Sequence, residues 1–175
     1  YTQIIKNVPK VKIILYNFEK LSGFRFEGDF IKKLTTSYPK NIIGCKDSSY
    51  NLYDKIKIKD FLMFPGDESK LLKGLELGCS GCISAIANVT HKLAREVFDD
   101  FKNRRTQNSN EKLINVRHTF DKYNLISGLH SYMSLQNSKF KNLLPPLTLL
   151  SSKDQKELLK SLENLKFNKG NNIAA

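Results

Sequence analysis

A chain of 175 residues, 40% hydrophobic and 26% charged, is long enough to bury one sizeable core, is short for two domains, and reads as globular. No run approaches the roughly 18 apolar residues of a membrane span, and no charged start with an apolar core and small-residue cleavage site suggests export, so a cytoplasmic protein is expected. The net charge of +12 raises nucleic acid as a partner, but Lys32-Lys33, Arg104-Arg105 and Lys153/Lys156/Lys160 lie far apart among apolar or acidic neighbours. A phosphate-tracking surface clusters its cations and interleaves aromatic rings; neither nucleic acid nor membrane is therefore expected, and the surplus charge suits a field that draws in small carboxylates.

In chain order, Tyr1 to Asn7 (YTQIIKN) reads as the last turns of a helix, and Val11 to Asn17 (VKIILYN) as the first strand. Phe30, Ile31, Leu34 and Tyr38 then recur at helical spacing, with Tyr38-Pro39 as the stop. Further strands are expected at Asn41 to Lys46 (NIIGCK), Phe61 to Gly66 (FLMFPG) and Cys82 to Ala87 (CISAIA). Their near-continuous apolar character predicts burial on both faces, as in a parallel sheet. Between the last two, Asp67 can cap a helix striped by Leu71, Leu72 and Leu75 and ending at Gly78. The expected array is βαβαβαβ, with right-handed crossovers and one parallel sheet.

Beyond residue 90 only helices are expected. Leu93, Ala94, Val97, Phe98 and Phe101 form one amphipathic face, and a longer stretch through Leu113, Ile114, Val116 and Phe120 breaks near Gly128. Leu144-Pro145-Pro146-Leu147 is a rigid connector, and a last helix opens with Ser152 and Gln155 at capping-box spacing, burying Leu158, Leu159, Leu162 and Leu165. The tail NKGNNIAA is expected to fray. Four parallel strands cannot close an eight-stranded barrel, which leaves an open α/β sheet or the back part of a barrel whose front is absent.

Parallel strands bring their C-terminal ends to one rim, where α/β enzymes keep reactive groups. Those ends carry Tyr16-Asn17, Lys46-Asp47-Ser48, Gly66-Asp67-Glu68 and Ser84 to Ala87. Desolvation at the end of an apolar strand disfavours the ammonium of Lys46, and a lysine more easily neutral is a nucleophile toward ketones. The structural alternative is a lysine that pairs with Asp47 or snorkels to water, although alternation sends adjacent side chains to opposite faces. Tyr16 can equally be a core ring with a satisfied hydroxyl. Cys45, Cys79 and Cys82 read as small thiols in apolar or glycine-rich surroundings. The CxxC spacing of Cys79 and Cys82 lacks the second pair that a zinc site needs, and His91, His118 and His130 have no ligand spacing, so no metal is expected.

YNFEKLSG at 16–23, IIGCKDSS at 42–49, FPGDES at 64–69 and GCSGCISAIANV at 78–89 resemble, in order and spacing, the dihydrodipicolinate synthase/N-acetylneuraminate lyase family of pyruvate-handling class I aldolases. The resemblance covers nearly the whole chain. It implies the C-terminal part, about four βα units, of a TIM (β/α)8 barrel over residues 1–105, followed by a helical extension over 106–175. It implies that Lys46 forms a Schiff base with pyruvate or another 2-keto acid, that Tyr16 relays protons, and that Ser48, Gly66, Glu68, Ser84 and Ile86 bind substrate. No cofactor is required, and the family's habit implies a homodimer or homotetramer.

Leu21 stands where the synthases usually carry a carboxylate-binding arginine, while KDS at 46–48 and Glu68 look closest to aldolases of 2-keto-3-deoxy sugar acids. That aldolase type is the expected activity; dihydrodipicolinate synthase and N-acetylneuraminate lyase are the alternatives within the family, and a non-enzymatic binding module on the same fold is the alternative outside it. Nothing in these residues matches the family's threonine- or serine-rich carboxylate loop, which implies a parent chain of about 290 residues and a sequence incomplete for activity by itself.

Overall fold

Strand β1 (Ile13–Asn17) pairs in parallel with β2 (Ile42–Asp47), which pairs in parallel with β3 (Leu62–Pro65), giving a sheet of order β1-β2-β3. The computed structural model describes residues 1–167, so the tail read as frayed lies outside the described residues. Two compact units divide the chain, one from Tyr1 to Ile83 and a second from Ser84 onward.

In the first unit, helix α1 (Thr2–Asn7) precedes β1, and the short α2 (Glu19–Ser22) ends on Gly23 at φ +67. Helix α3 (Gly28–Ser37) stops at Tyr38, ahead of Pro39 as the sequence requires. Its Ile31 is fully buried in the core that Leu15, Ile42, Cys45 and Met63 contribute from the sheet. After β3, Asp67 accepts the Ser69 N–H at 2.7 Å and caps a 3-10 turn (Glu68–Lys70) that runs into α4 (Leu71–Glu76), with Gly78 beyond it at φ +88.

Three expectations about the sheet need correction. The segment Cys82 to Ala87 is not a strand. Ser80 N–H and Ile83 N–H do reach the carbonyls of Met63 and Pro65 on β3, at 2.8 and 3.1 Å, but Gly81 between them sits at φ +150 and puts one residue too many into the ladder for regular pairing. The connection from β2 to β3, residues 48–61, contains turns and no helix. Nor is the sheet buried on both faces: Leu15, Cys45 and Met63 point into the core, whereas Ile14, Tyr16 and Leu62 are about 40% exposed or more.

The second unit is helical. Helix α5 (Ala87–Lys102) buries Val89, Thr90 and Val97, α6 (Asn110–Phe120) buries Leu113, Val116 and Phe120, and α7 (Leu125–Met133) buries Leu129, Tyr132 and Met133. The break between α6 and α7 falls at 121–124, where Asn124 accepts the Ser127 N–H, and not at Gly128. Gly128 lies inside α7, packed beside Phe120 and Tyr123, whose atoms stand 3.5 and 3.8 Å from where a Cβ would be, ordinary contact distances that a helical residue accommodates. The last helix, α8 (Ser152–Asn164), is capped one residue earlier than expected: Ser151 accepts the Asp154 N–H, and Gln155 instead donates to the Ser131 carbonyl. It buries Leu158 and Leu162 fully and Leu159 and Leu165 partly.

Candidate active site at the strand ends

Lys46 and Tyr16 are cross-strand partners at the C-terminal ends of β2 and β1. Side chains alternate along a strand, so residues paired across two parallel strands share a face. The Lys46 Nζ lies 4.1 Å from the centroid of the Tyr16 ring. Tyr16 is 47% exposed and Lys46 is half-buried, so the amine is neither sealed in the core nor immersed in solvent. Tyr16 also leans on Phe18, with ring centroids 5.7 Å apart.

Asp47 does not serve Lys46. It points to the opposite face, is fully buried, and its Oδ1 accepts from Asn17 Nδ2 (2.8 Å) and Tyr50 N–H (2.9 Å) while Oδ2 accepts from Leu52 N–H (2.8 Å) and Tyr53 N–H (2.9 Å). Asn17, equally buried, also donates to Asn51 Oδ1 (2.7 Å) and accepts the Phe26 N–H (2.9 Å). Asn51 closes the ring by donating to the Phe26 carbonyl at 3.0 Å. Sequence reasoning set Asn17 on the rim without a role, considered Asp47 only as an ion-pair partner for Lys46, and passed over Asn51. Their signal was positional: a polar residue directly after each rim residue, on the face that alternation turns inward.

Ser48 and Gly66 meet behind the strand ends. A Cβ built on Gly66 would fall 2.0 Å from Ser48 Oγ, so glycine is obligatory at 66 for Ser48 to stand where it does. The ladder continues through both residues, Ser48 N–H donating to the Asn17 carbonyl and Gly66 N–H to the Asp47 carbonyl, at 2.8 and 2.9 Å. Glu68 is fully buried. Lys70 places its Nζ 4.3 Å from the centroid of the Tyr50 ring, a second amine-on-aromatic contact from a loop that follows the sheet. In the second unit Ser84 accepts from Arg117 Nη1 at 3.1 Å, and Ile86 is fully buried just before α5. Tyr16, Lys46, Ser48, Gly66 and Glu68 thus belong to the first unit, and Ser84 and Ile86 to the second.

Cys45 and Cys79 are poor nucleophiles. Burial, reinforced by the nearby Asp47 charge, pushes the Cys45 thiol up to about 12, and burial likewise raises Cys79. Cys45 and Cys79 are buried and Cys82 is partly exposed. Among the described residues no group of three or more His, Cys, Asp or Glu side chains could hold a metal ion. His130 is occupied by a 2.8 Å bond between Nδ1 and the Phe140 carbonyl. No described helix is long and apolar enough to cross a membrane.

The model of the dihydrodipicolinate synthetase family matches residues 1–165. The chain belongs to that family. It is 30% identical over 164 residues to a 4-hydroxy-tetrahydrodipicolinate synthase of Archaeoglobus fulgidus, covering 87% of this chain and 56% of that protein. It is 34% identical over 101 residues to the synthase of the same name from Hydrogenobaculum, covering 55% of this chain and 34% of the relative. Among solved structures, the dihydrodipicolinate synthase of Cyanidioschyzon merolae with lysine bound superposes with a TM-score of 0.84 at 18% identity, over 95% of this chain and 59% of that one. A prophage protein of E. coli K12 from the same family, solved with pyruvate, gives 0.81 at 20% identity, over 96% and 60%. At those identities the likeness establishes the fold: this chain corresponds to part of an α/β barrel, with an open three-stranded parallel sheet.

Proposed function

We propose that the protein is a Schiff-base-forming lyase of pyruvate or a related 2-keto acid, with Lys46 as the nucleophile and Tyr16 as the proton relay. The observation that carries this is the pairing of the Lys46 amine with the Tyr16 ring at 4.1 Å, on the exposed face of the strand ends, in a chain of this family. The neutral amine attacks the keto carbon, and the keto oxygen takes one proton from the attacking nitrogen and a second from solvent or the relay and leaves as water. In the protonated imine the bond between the next two carbons out breaks: its electron pair forms a double bond to the imine carbon as the C=N pair moves onto nitrogen, giving an enamine in place of a free carbanion, while the departing fragment's hydroxyl passes its proton to the relay and leaves as an aldehyde. A proton then returns to carbon, and Tyr16, whose phenol neighbours that nitrogen, can supply it. The negative face of the ring stabilises a cation at the same nitrogen by about 0.5–1 kcal/mol at an exposed site, which favours the iminium.

In this reading Ser48, Gly66 and Glu68 flank the reacting carbon from the loops after β2 and β3, and Ser84 and Ile86 keep the lining roles that the resemblance assigns them. Residues 1–105 act as the back of the barrel and 106–175 as its helical extension, in a homodimer or homotetramer. The second substrate is an aldehyde derived from a 2-keto-3-deoxy sugar acid, because Leu21 offers no carboxylate-binding cation; it is 77% exposed on α2. A second reading, condensation with aspartate semialdehyde, is supported by the names of the relatives in Archaeoglobus and Hydrogenobaculum.

Borohydride added with pyruvate to the parent chain that carries the carboxylate-binding loop should leave one reduced pyruvyl group on the peptide carrying Lys46, and Lys46→Arg should abolish it. Pyruvate that binds without becoming trapped would favour a non-enzymatic binding module. Assays of sugar-acid cleavage against semialdehyde condensation separate the two second substrates.

A further inference from the structure

We infer that Asp47 is a positioning residue, a buried anchor that holds the Lys46 amine over Tyr16 by tying the end of β2 to the end of β1 and to the loop that follows; this rests on the Schiff-base reading above. Asp47 is fully buried and lies on the opposite face from Lys46, so it touches neither substrate nor the reacting atoms. A buried carboxylate is costly unless its lone pairs are filled, and here each oxygen receives two donors. Three of those donors are the backbone N–H groups of Tyr50, Leu52 and Tyr53, so one side chain holds the chain of residues 48–53 in a turn.

The fourth donor is what turns a loop clamp into a positioning device. Asn17 directly follows Tyr16 as Asp47 directly follows Lys46, and the two inward side chains are joined at 2.8 Å behind the outward pair. Asn17 cannot rotate freely: both amide hydrogens are spent, on Asp47 and Asn51, and its oxygen takes the Phe26 N–H. Flipping it would set oxygen against oxygen on two sides. The inner pair therefore fixes the register and the pleat at the last rung of the β1–β2 ladder, and with them the approach of the amine to the ring. A misplacement of about 1 Å at a reacting group can cost on the order of a hundredfold in rate, which is the scale at which such an anchor matters.

The decisive variant is Asp47→Asn, which keeps the shape but has one acceptor oxygen where four donors converge. Borohydride trapping with pyruvate, well below the melting temperature, should show a maximal rate lowered about tenfold to a hundredfold, with half-saturating pyruvate moved by less than about twofold. A role in stability alone would reduce the folded fraction and leave the rate per folded molecule unchanged, and that result would overturn the inference. Should Asp47→Asn fail to fold, Asn51→Ala, which frees Asn17 on one side and spares all four donors to Asp47, should lower the same rate less steeply; an unchanged rate overturns the inference. Where the wild-type parent chain itself traps no pyruvate, the Schiff-base reading falls, and the anchor is tested by acetylation of Lys46 relative to exposed Lys20. A ratio unaltered by Asp47→Asn sinks it.

Discussion

The two faces of the small sheet are made by the same three strands and differ in almost every physical respect. On the inward face Leu15, Cys45 and Met63 are buried, and the polar residues among them, Asn17 and Asp47, have their hydrogen-bonding capacity filled by neighbours. On the outward face Ile14, Tyr16 and Leu62 keep roughly two fifths or more of their surface, and the lysine amine rests on a tyrosine ring. Stability and reactivity are thus assigned to alternate residues, and a step of one position along β1 or β2 crosses from one to the other. A fold can hold a reactive group at a strand end only if the residue beside it is committed to holding the strand.

Substitutions at neighbouring positions break this comparison most sharply. Met63→Ala should cost about 2–5 kcal/mol, because it empties a filled site, whereas Leu62→Ala, one residue earlier and 39% exposed, should cost under about 1 kcal/mol. Urea denaturation midpoints measure both, and equal losses would show that the outward face is covered in solution. Gly66→Ala should destabilise by about 1–3 kcal/mol through the clash with Ser48 Oγ. Its partner variant Gly66→Ala with Ser48→Gly should recover most of that loss, measured the same way.

The smallest effect at neutral pH is that of Cys45, which sharpens the comparison on the alkaline side. Its folded thiol is raised from an ordinary 9.0 to about 12, so between those values the folded chain holds a proton that the unfolded chain has lost. Stability from this group is complete below pH 9.0 and declines as pH rises toward about 12. Cys45→Ala should flatten that part of the stability profile, and the wild-type thiol should resist iodoacetamide at neutral pH.

Much of the site was legible before any coordinates. Lys46 and Tyr16 could be set at the C-terminal rim because they end apolar runs of a parallel sheet, while their expected roles came from the family resemblance; that the two side chains meet follows from the register of β1 on β2. The strand expected at Cys82 to Ala87 was misjudged because an apolar run reports burial, while pairing depends on backbone geometry that Gly81 at φ +150 interrupts. The displaced break between α6 and α7 has a similar cause: a glycine packed under Phe120 looks, in one dimension, like a glycine that ends a helix. The ring of Asn17, Asp47 and Asn51 was invisible for another reason, since its members are separated by up to 34 residues and meet only when the strands pair.

By itself the sequence determined where most of the strands and helices lie and which amine would stand at the rim, because periodicity and chemistry are local properties of the chain. Only the tertiary structure decided that three strands pair where four were expected, that one face stays open, and that a buried carboxylate joins two strand ends to a loop. Those outcomes depend on hydrogen-bond donors and acceptors brought together from distant positions, and their directions are set only when the chain has folded.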